Sequence, residues 1–162
     1  MVEVTLVGVR VELPTNQPIV LLKERDGGRF LPIWIGAVEA TAIAFALQGV
    51  VTQRPMTHDL LKNIVEELGV TVEGIDITEL REGTFYAVIR MRAHGQSYEV
   101  SSRPSDAIAL AVRAGAPIFA AEEVLEEASI SMREDETEET EVEKFREFLD
   151  QVTPEDFAGG GE

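Results

Sequence analysis

The sequence predicts a single α+β domain, and three observations lead to this fold class. Segments with the alternating or continuous apolar residues of strands occur in two groups of three. Each group is followed by a helical segment rich in alanine. The chain of 162 residues, 44% of them hydrophobic, is long enough for one hydrophobic core of ordinary size.

In the first half, turn residues separate three strands, and a glycine ends the helix that follows. Pro32 lies within the third strand and indicates an edge strand or a strand end, because proline cannot donate a ladder hydrogen bond. Gly49 is the expected stop of the helix, whose small and apolar residues suit close packing. The predicted strands cover residues 2–13, 19–22 and 29–35, and the predicted helix covers residues 37–47.

The second half repeats this order after an additional helix. Residues 57–68 carry apolar side chains at helical spacing, and Gly69 is the expected C-terminal stop. A second alanine-rich helix ends at Gly115 in the same way. After residue 68 the sequence predicts strands at 70–80, 85–92 and 96–101, a helix at 105–114, a short strand at 117–120 and a short helix at 122–128.

The two halves also share a short sequence pattern. AIAFAL at residues 42–47 resembles AIALAV at residues 107–112. The spacing is longer than that of most solenoid repeats, so the pattern favours one domain with an internal pseudo-duplication. The alternative explanation is that two buried helices both use alanine for close packing, and the sequence leaves both explanations open.

Acidic charge is concentrated at the C-terminal end of the chain. The formal net charge is −16, but residues 121–162 contain 16 acidic and 3 basic residues, whereas residues 1–120 contain 14 and 11. The nearly neutral body therefore argues little against a phosphate-bearing substrate. We predict a domain over residues 1–131 and an acidic tail over residues 132–162, which includes a short amphipathic helix at residues 141–152.

Several classes of protein and site are excluded by the composition. The absence of cysteine rules out disulfides, thiolate catalysis and cysteine zinc sites. No apolar stretch approaches the ~20 residues of a membrane helix and no signal-peptide pattern is present, so a cytoplasmic location is expected. There is no glycine-rich phosphate loop, nucleophile elbow or zinc-protease helix. Trp34 lies in an apolar strand and is predicted to be a core or interface residue rather than a ligand platform.

Two helix starts share an arrangement that suits phosphate binding. Arg54 and Arg103 each precede a proline, and a hydroxyl residue and a carboxylate follow in the first helical turn. A helix start exposes unpaired N–H groups and partial positive charge, which can hold a phosphate oxygen. Arginine can add forked hydrogen bonds. The predicted phosphate-binding residues are Arg54, Thr57, Arg103 and Ser105.

The same helix starts supply candidates for phosphodiester cleavage. This reaction needs charge stabilisation and carboxylates that can seat a divalent metal such as Mg²⁺ or Mn²⁺. His58 is the best general-base candidate in the sequence. The predicted catalytic residues are His58, Asp59 and Asp106, and the predicted metal ligands are Glu39, Asp59 and Asp106.

A purely structural explanation covers part of this pattern. Thr57 and Ser105 can cap helices, and Asp59 and Asp106 can complement the helix dipole. Proline also suits the first turn of a helix. Capping does not account for the two arginines before proline or for His58, so both explanations stay open.

Three sequence blocks resemble the bifunctional nuclease (BFN) family. They are LPIWIG at residues 31–36 with Glu39 and Ala40, RPMTHDLL at 54–61 and SRPSDAIAL at 102–110. The blocks occur in the order of that family, and the similarity extends from about residue 2 to residue 131. The resemblance implies a compact α+β fold with a mixed, largely antiparallel sheet, a homodimer, and activity on both DNA and RNA.

Two functional hypotheses follow. The first is a nuclease that hydrolyses phosphodiester bonds of DNA and RNA with assistance from a divalent metal. The alternative is a non-catalytic regulatory homodimer whose helix starts bind a nucleotide or another anion. The nearly absent basic footprint supports the alternative, since proteins that grip long nucleic acids usually show a positive track.

Overall fold

The structure is a computed structural model and describes residues 1–12 and 15–131. In these residues it contains eight strands and four helices. In chain order they are β1 (Val2–Glu12), β2 (Gln17–Glu24), β3 (Arg29–Trp34), α1 (Ala37–Gln48), α2 (Thr57–Glu67), β4 (Thr71–Arg81), β5 (Thr84–Ala93), β6 (Gln96–Ser102), α3 (Pro104–Ala114), β7 (Ile118–Ala120), α4 (Glu122–Ala128) and β8 (Ile130–Ser131). The predicted α+β class is confirmed.

All described strands belong to one mixed sheet with the order β6-β5-β4-β7-β1-β2-β3-β8. Every neighbouring pair is antiparallel except β4 and β7, which are parallel. Short β7 therefore joins two antiparallel meanders, β1–β3 and β4–β6, into a continuous sheet. The mixed, largely antiparallel sheet expected from the family resemblance is confirmed.

Tight turns set the register of the second meander. Glu82 and Gly83 between β4 and β5 both have positive φ, 52° and 78°, and His94 and Gly95 between β5 and β6 have the same pair of values. Positive φ at both central residues is the pattern of the two-residue turns whose twist matches that of the flanking strands. This geometry places the Glu82–Gly83 turn at the end of the sheet where α3 begins, next to the site described below.

Helices α1 and α3 pack against each other and against the strands of the two meanders. Their alanines are almost completely buried, since small side chains allow two helices and a sheet to approach closely. Burial of alanine, isoleucine and phenylalanine around most of α1 explains why this helix is apolar on nearly all sides. The core thus lies between the sheet and these two helices.

The predicted elements are found, with shifts of a residue or two at their ends, and two details differ. Strand β8 was not predicted, because its two residues carry no periodic signal. Pro32 pairs with Leu21 of β2, while β8 borders β3 only at Arg29 and Phe30. Beyond Phe30 the outer side of β3 is therefore unpaired among the described strands, which is where proline is tolerated.

The helix caps correct part of the sequence interpretation. The residues in N-cap position are Met56 for α2 and Arg103 for α3, and neither helix has a side-chain cap hydrogen bond from that residue. Thr57 and Ser105 therefore lie inside the first turn and do not cap. Pro104 occupies the first helical position, as its fixed φ favours.

Some predictions lie outside the described residues or stay untested. The acidic tail over residues 132–162 and its helix at 141–152 are outside the described part of the chain. The two meanders are each followed by a helix, as predicted, but an internal duplication stays a prediction. None of the helices in residues 1–12 and 15–131 has the length and apolar character needed to span a membrane.

Candidate functional site

Four polar side chains from α1, α2 and α3 form one connected series of hydrogen bonds. Arg103 Nη2 donates to Glu39 Oε1 at 2.7 Å, and Arg103 Nε donates to Asp106 Oδ2 at 2.9 Å. The other carboxylate oxygen of Asp106, Oδ1, is 2.9 Å from His58 Nε2. These four residues, Glu39, Arg103, Asp106 and His58, are called the polar chain below. Two of them are predicted metal-ligand carboxylates, one is the predicted general base, and one is a predicted phosphate-binding arginine.

The polar chain runs from the surface into the protein. The Arg103 side chain is 66% exposed, whereas the His58 side chain is 8% exposed. Glu39 and Asp106 lie between these extremes. The surface end can meet a substrate phosphate, and the inner end holds an imidazole in a fixed orientation.

Neighbouring charges within the polar chain shift the pKa values of Asp106 and Arg103. Burial raises the pKa of Asp106, but hydrogen bonds from His58 and Arg103 outweigh it and hold this pKa below the usual value of 3.8. Hydrogen bonds to Asp106 and Glu39 raise the pKa of Arg103. Asp106 is therefore a carboxylate at neutral pH and can stabilise a protonated His58.

Gly36 makes room for the Glu39 carboxylate. This glycine is the N-cap of α1, and a Cβ added to it would lie 2.5 Å from Glu39 Oε2. The backbone angles of Gly36, φ −80° and ψ 161°, are open to any residue, so the need for glycine comes from the side-chain space. A helix start without a side chain thus lets Glu39 fold back toward Arg103.

Asp59 is held in a different set of contacts. Arg113 Nε donates to Asp59 Oδ1 at 2.7 Å, and the backbone N–H of Met56 donates to Oδ2 at 3.1 Å. The same Arg113 guanidinium donates to the carbonyl oxygens of Ala109 and Ala42, both at 2.9 Å. Arg113 therefore ties α1, α2 and α3 together through Asp59. Burial raises the pKa of Asp59, but the hydrogen bonds from Arg113 and Met56 outweigh it and lower this pKa.

Sequence reasoning missed Arg113 as a partner of Asp59. A basic residue in the last turn of a helix is ordinarily explained by the helix dipole. Nothing local in the sequence indicates that Arg113 reaches a residue 54 positions earlier. Arg54 and Thr57 are the predicted phosphate-binding residues at the start of α2. Both are exposed, and among the described residues neither side chain is bonded to the polar chain.

A cleft of about 330 Å³ borders the polar chain where α3 begins. The end of β3, the Glu82–Gly83 turn and the first residues of α3 line it. Trp34 is 52% exposed on its wall, so it is not a core residue, and the predicted alternative of an interface residue stays a prediction. Leu31, Ile33 and Ile35 are buried, and the alternation along the strand turns Trp34 to the other face.

The predicted metal ligands fall into two places. Arg103 Nη2 lies 2.7 Å from Glu39 Oε1 and 2.8 Å from Asp106 Oδ2, so these two carboxylates converge on one positively charged nitrogen. Asp59 is bound to Arg113 instead. In residues 1–12 and 15–131, no three histidine, aspartate or glutamate side chains form a group able to hold a metal ion. Glu39 and Asp106 are carboxylates of the type that hold Mg²⁺ together with substrate phosphate in other proteins.

Comparisons with known proteins agree with the sequence blocks and the fold. The family model described as the bifunctional nuclease domain matches residues 20–133. An uncharacterized protein of Mycobacterium tuberculosis is 48% identical over 164 residues, which cover 97% of this chain and 98% of that protein. Bifunctional nuclease 1 of Arabidopsis thaliana is 31% identical over 105 residues, which cover 62% of this chain. The matched region is 32% of the plant protein's length.

Proposed function

Because the chain belongs to the bifunctional nuclease domain family, we propose that it is a nuclease that hydrolyses phosphodiester bonds of DNA and RNA. The single observation that carries the proposal is the polar chain. Two carboxylates, a histidine and an exposed arginine meet at the start of α3, and all four residues belong to the sequence blocks that resemble this family.

Arg103 is the proposed contact for the scissile phosphate. Its guanidinium is mostly exposed, and Nη1 is left over after Nε and Nη2 have bonded to Asp106 and Glu39. The two N–H groups of Nη1 can donate to phosphate oxygens, and the start of α3 adds partial positive charge. Ser105 lies beside this contact. Arg54 and Thr57 at the start of α2 are proposed to bind other phosphates of the same DNA or RNA strand.

His58 is the proposed proton acceptor. With Nε2–H donated to Asp106 Oδ1, the lone pair of Nδ1 can take a proton from water. The water oxygen bonds to phosphorus as the bond from phosphorus to the leaving oxygen breaks. The leaving oxygen then takes a proton from solvent. Asp106 fixes the imidazole and stabilises its positive charge, as a carboxylate does beside a catalytic histidine.

Divalent-metal dependence is part of the proposal. Glu39 and Asp106 are the two carboxylates that would hold Mg²⁺ or Mn²⁺. When bound, such an ion supplies positive charge that stabilises the transition state of phosphate hydrolysis. Asp59 bonds to Arg113 and Met56, and we propose that it holds the helices in place instead of joining this pair.

The engagement of both carboxylates by Arg103 supports a second, non-catalytic candidate function. Arg103 already neutralises two carboxylates, and the described residues hold no three-ligand metal group. A site of this kind can bind a nucleotide or another anion without hydrolysing it. The second candidate is therefore a regulatory homodimer that binds such a ligand through the same helix start.

Cleavage of labelled single-stranded DNA and RNA, with Mg²⁺, with Mn²⁺ and with a chelator, separates the two candidates. We expect metal-dependent cleavage by the wild type and a loss of at least about 100-fold in Asp106→Asn, because the histidine loses its charged partner. Asn keeps an acceptor oxygen at the same place, so the melting temperature should change little.

Asp59→Asn is the companion variant because it changes the carboxylate in the first turn of α2, as Asp106→Asn does in the first turn of α3. Cleavage that survives in Asp59→Asn but not in Asp106→Asn places the chemistry at the polar chain. Equal cleavage by the wild type and both variants contradicts this site. Tight nucleotide binding without turnover by the wild type supports the second candidate.

A further inference from the structure

We propose that the cleft between Trp34 and Ser105 binds one unpaired nucleotide, with its base stacked on the Trp34 indole and its phosphate at the start of α3. This inference rests on the proposed function, because it assigns the substrate of that site as single-stranded DNA or RNA. The sequence predicted Trp34 as a core or interface residue rather than a ligand platform, and the cleft now gives it this further role.

The base-binding side of the cleft is an exposed aromatic face. Trp34 is the only tryptophan in the chain, and it stays half-exposed although it is the largest apolar side chain of β3. Its neighbours Ile33 and Ile35 are buried, which fixes the strand beneath it. An indole held rigidly at the surface beside a cleft is the usual platform on which an unpaired base stacks.

The phosphate-binding side of the cleft has backbone N–H groups that make no hydrogen bond within α3. The first hydrogen bond within α3 runs from Ala107 N–H to Arg103 C=O at 3.1 Å. Pro104 has no N–H, so the N–H groups of Ser105 and Asp106 are outside the helix ladder. Such groups at a helix start bind phosphate oxygens well.

Ser105 gives independent support for a ligand at this place. The residue is only 6% exposed and lines the cleft, and its hydroxyl has no hydrogen-bond partner among the described residues. It does not cap α3, because Arg103 is the N-cap. Because Ser105 lines the cleft, a ligand or water bound there can satisfy its hydroxyl. A buried hydroxyl without a partner is costly in a protein unless a ligand or water satisfies it.

The size and charge of the cleft fit one nucleotide and not a long strand. About 330 Å³ is at the lower end of small-molecule sites, which begin at roughly 300 Å³. Arg103 lines the same cleft and also bonds to Asp106, so a nucleotide bound here lies beside the polar chain. A base in a duplex is already stacked and paired and must be flipped out before it can reach Trp34.

The single tryptophan makes this proposal directly measurable. Adenosine 5′-monophosphate, which contains no phosphodiester bond, is titrated into the full chain while the Trp34 emission is recorded. We expect saturable quenching by this nucleotide and none by ribose 5-phosphate, which has the phosphate but no base. Quenching by neither compound, or equally by both, would overturn the assignment of a base to the Trp34 face.

Variants test both sides of the cleft by binding of a labelled eight-nucleotide single strand in a chelator. Trp34→Ala is expected to weaken binding about tenfold or more, and Trp34→Phe to retain most of it, because stacking needs an aromatic face. Ser105→Ala is expected to weaken binding about threefold to tenfold without lowering the melting temperature, because the lost hydroxyl has no internal partner. Tyr98→Ala, which removes a half-exposed aromatic of β6, is the control and should bind as the wild type does.

The outcomes separate this inference from the proposed hydrolysis. Asp106-dependent cleavage with unchanged binding in Trp34→Ala would overturn the nucleotide cleft and leave the nuclease standing. Trp34-dependent binding without any cleavage would overturn the hydrolysis and leave the cleft as a binding site. A duplex of the same sequence that binds as tightly as the single strand would contradict the preference for an unpaired nucleotide.

Discussion

At the scale of single residues, the site depends on where a side chain is absent as much as on where one is present. Gly36 leaves open the space that the Glu39 carboxylate occupies, and Glu39 in turn bonds to Arg103. The orientation of the surface arginine thus depends on a glycine that contributes no side chain. This dependence can be tested without disturbing the backbone, since the angles of Gly36 suit alanine.

Gly36→Ala is expected to lower cleavage about tenfold while the free energy of unfolding changes by less than about 0.5 kcal/mol. The new methyl group displaces the flexible end of Glu39, and small misplacements at a catalytic site are costly to the rate. Cleavage rates and thermal unfolding of the same preparation check this. Gly28→Ala is the control, because a Cβ there meets nothing within 4 Å. Unchanged cleavage in Gly36→Ala would show that the Glu39 position does not matter.

At the scale of elements, Asp59 and Arg113 join three helices that are far apart in the sequence. Asp59→Asn is expected to lower the free energy of unfolding by about 1–2 kcal/mol at neutral pH, because it weakens a charged hydrogen bond to a guanidinium that is itself largely buried. Denaturant unfolding measures this loss. Glu73→Gln is the matched control, since it removes the exposed Glu73–Arg92 pair and should change stability by less than about 0.5 kcal/mol.

The pH dependence of the same pair has a defined sign. The pKa of Asp59 is lower in the folded protein than its ordinary value of 3.8. The stabilisation is therefore fully present above pH 3.8 and is lost as the pH falls through the folded pKa. The stability difference between wild type and Asp59→Asn should shrink on acidification below about pH 4. A difference that stays constant down to pH 2 would contradict the ion pair.

Elements that depend on local pattern could be predicted from the sequence, and contacts between distant elements could not. Gly49, Gly69 and Gly115 mark helix ends because positive φ is a local requirement, and all three have it. The contact from Arg113 to Asp59 depends on how α2 and α3 pack, which no local signal contains.

For the candidate site, too, the sequence indicated individual residues but not the contacts between them. The motif at residues 102–106 indicated Arg103 and Asp106, but their convergence with Glu39 and His58 needed the arrangement of three helices. The exposure of Trp34 was not indicated by the sequence for a different reason. The continuous apolar run of β3 concealed the alternation that turns this side chain outward. A strand buried on one face shows alternating apolar and polar residues in its sequence only when the other face is polar.

At the scale of the whole molecule, the described surface keeps an apolar stripe that the domain does not cover. Leu60, Ile64 and Leu68 follow one another at intervals of four along α2 and its end, and each is about half-exposed or more. Exposed apolar residues that line up on one helix face commonly mark a contact with another chain. We propose that this stripe is the contact of the homodimer that the family resemblance implies.

Ile64→Glu is expected to convert the dimer to a monomer, because it places a charge at the centre of the stripe and a desolvated, unpaired carboxylate in the contact is costly. Light scattering coupled to size exclusion gives the mass directly, at several protein concentrations. Lys62→Glu is the control, since Lys62 pairs with Glu66 on the side of the helix away from the stripe and this variant should stay dimeric. A wild type that is monomeric throughout, or an Ile64→Glu variant that stays dimeric, contradicts this contact. If dissociation also leaves cleavage by the monomer intact, the polar chain and the cleft of one subunit are sufficient for the proposed reaction.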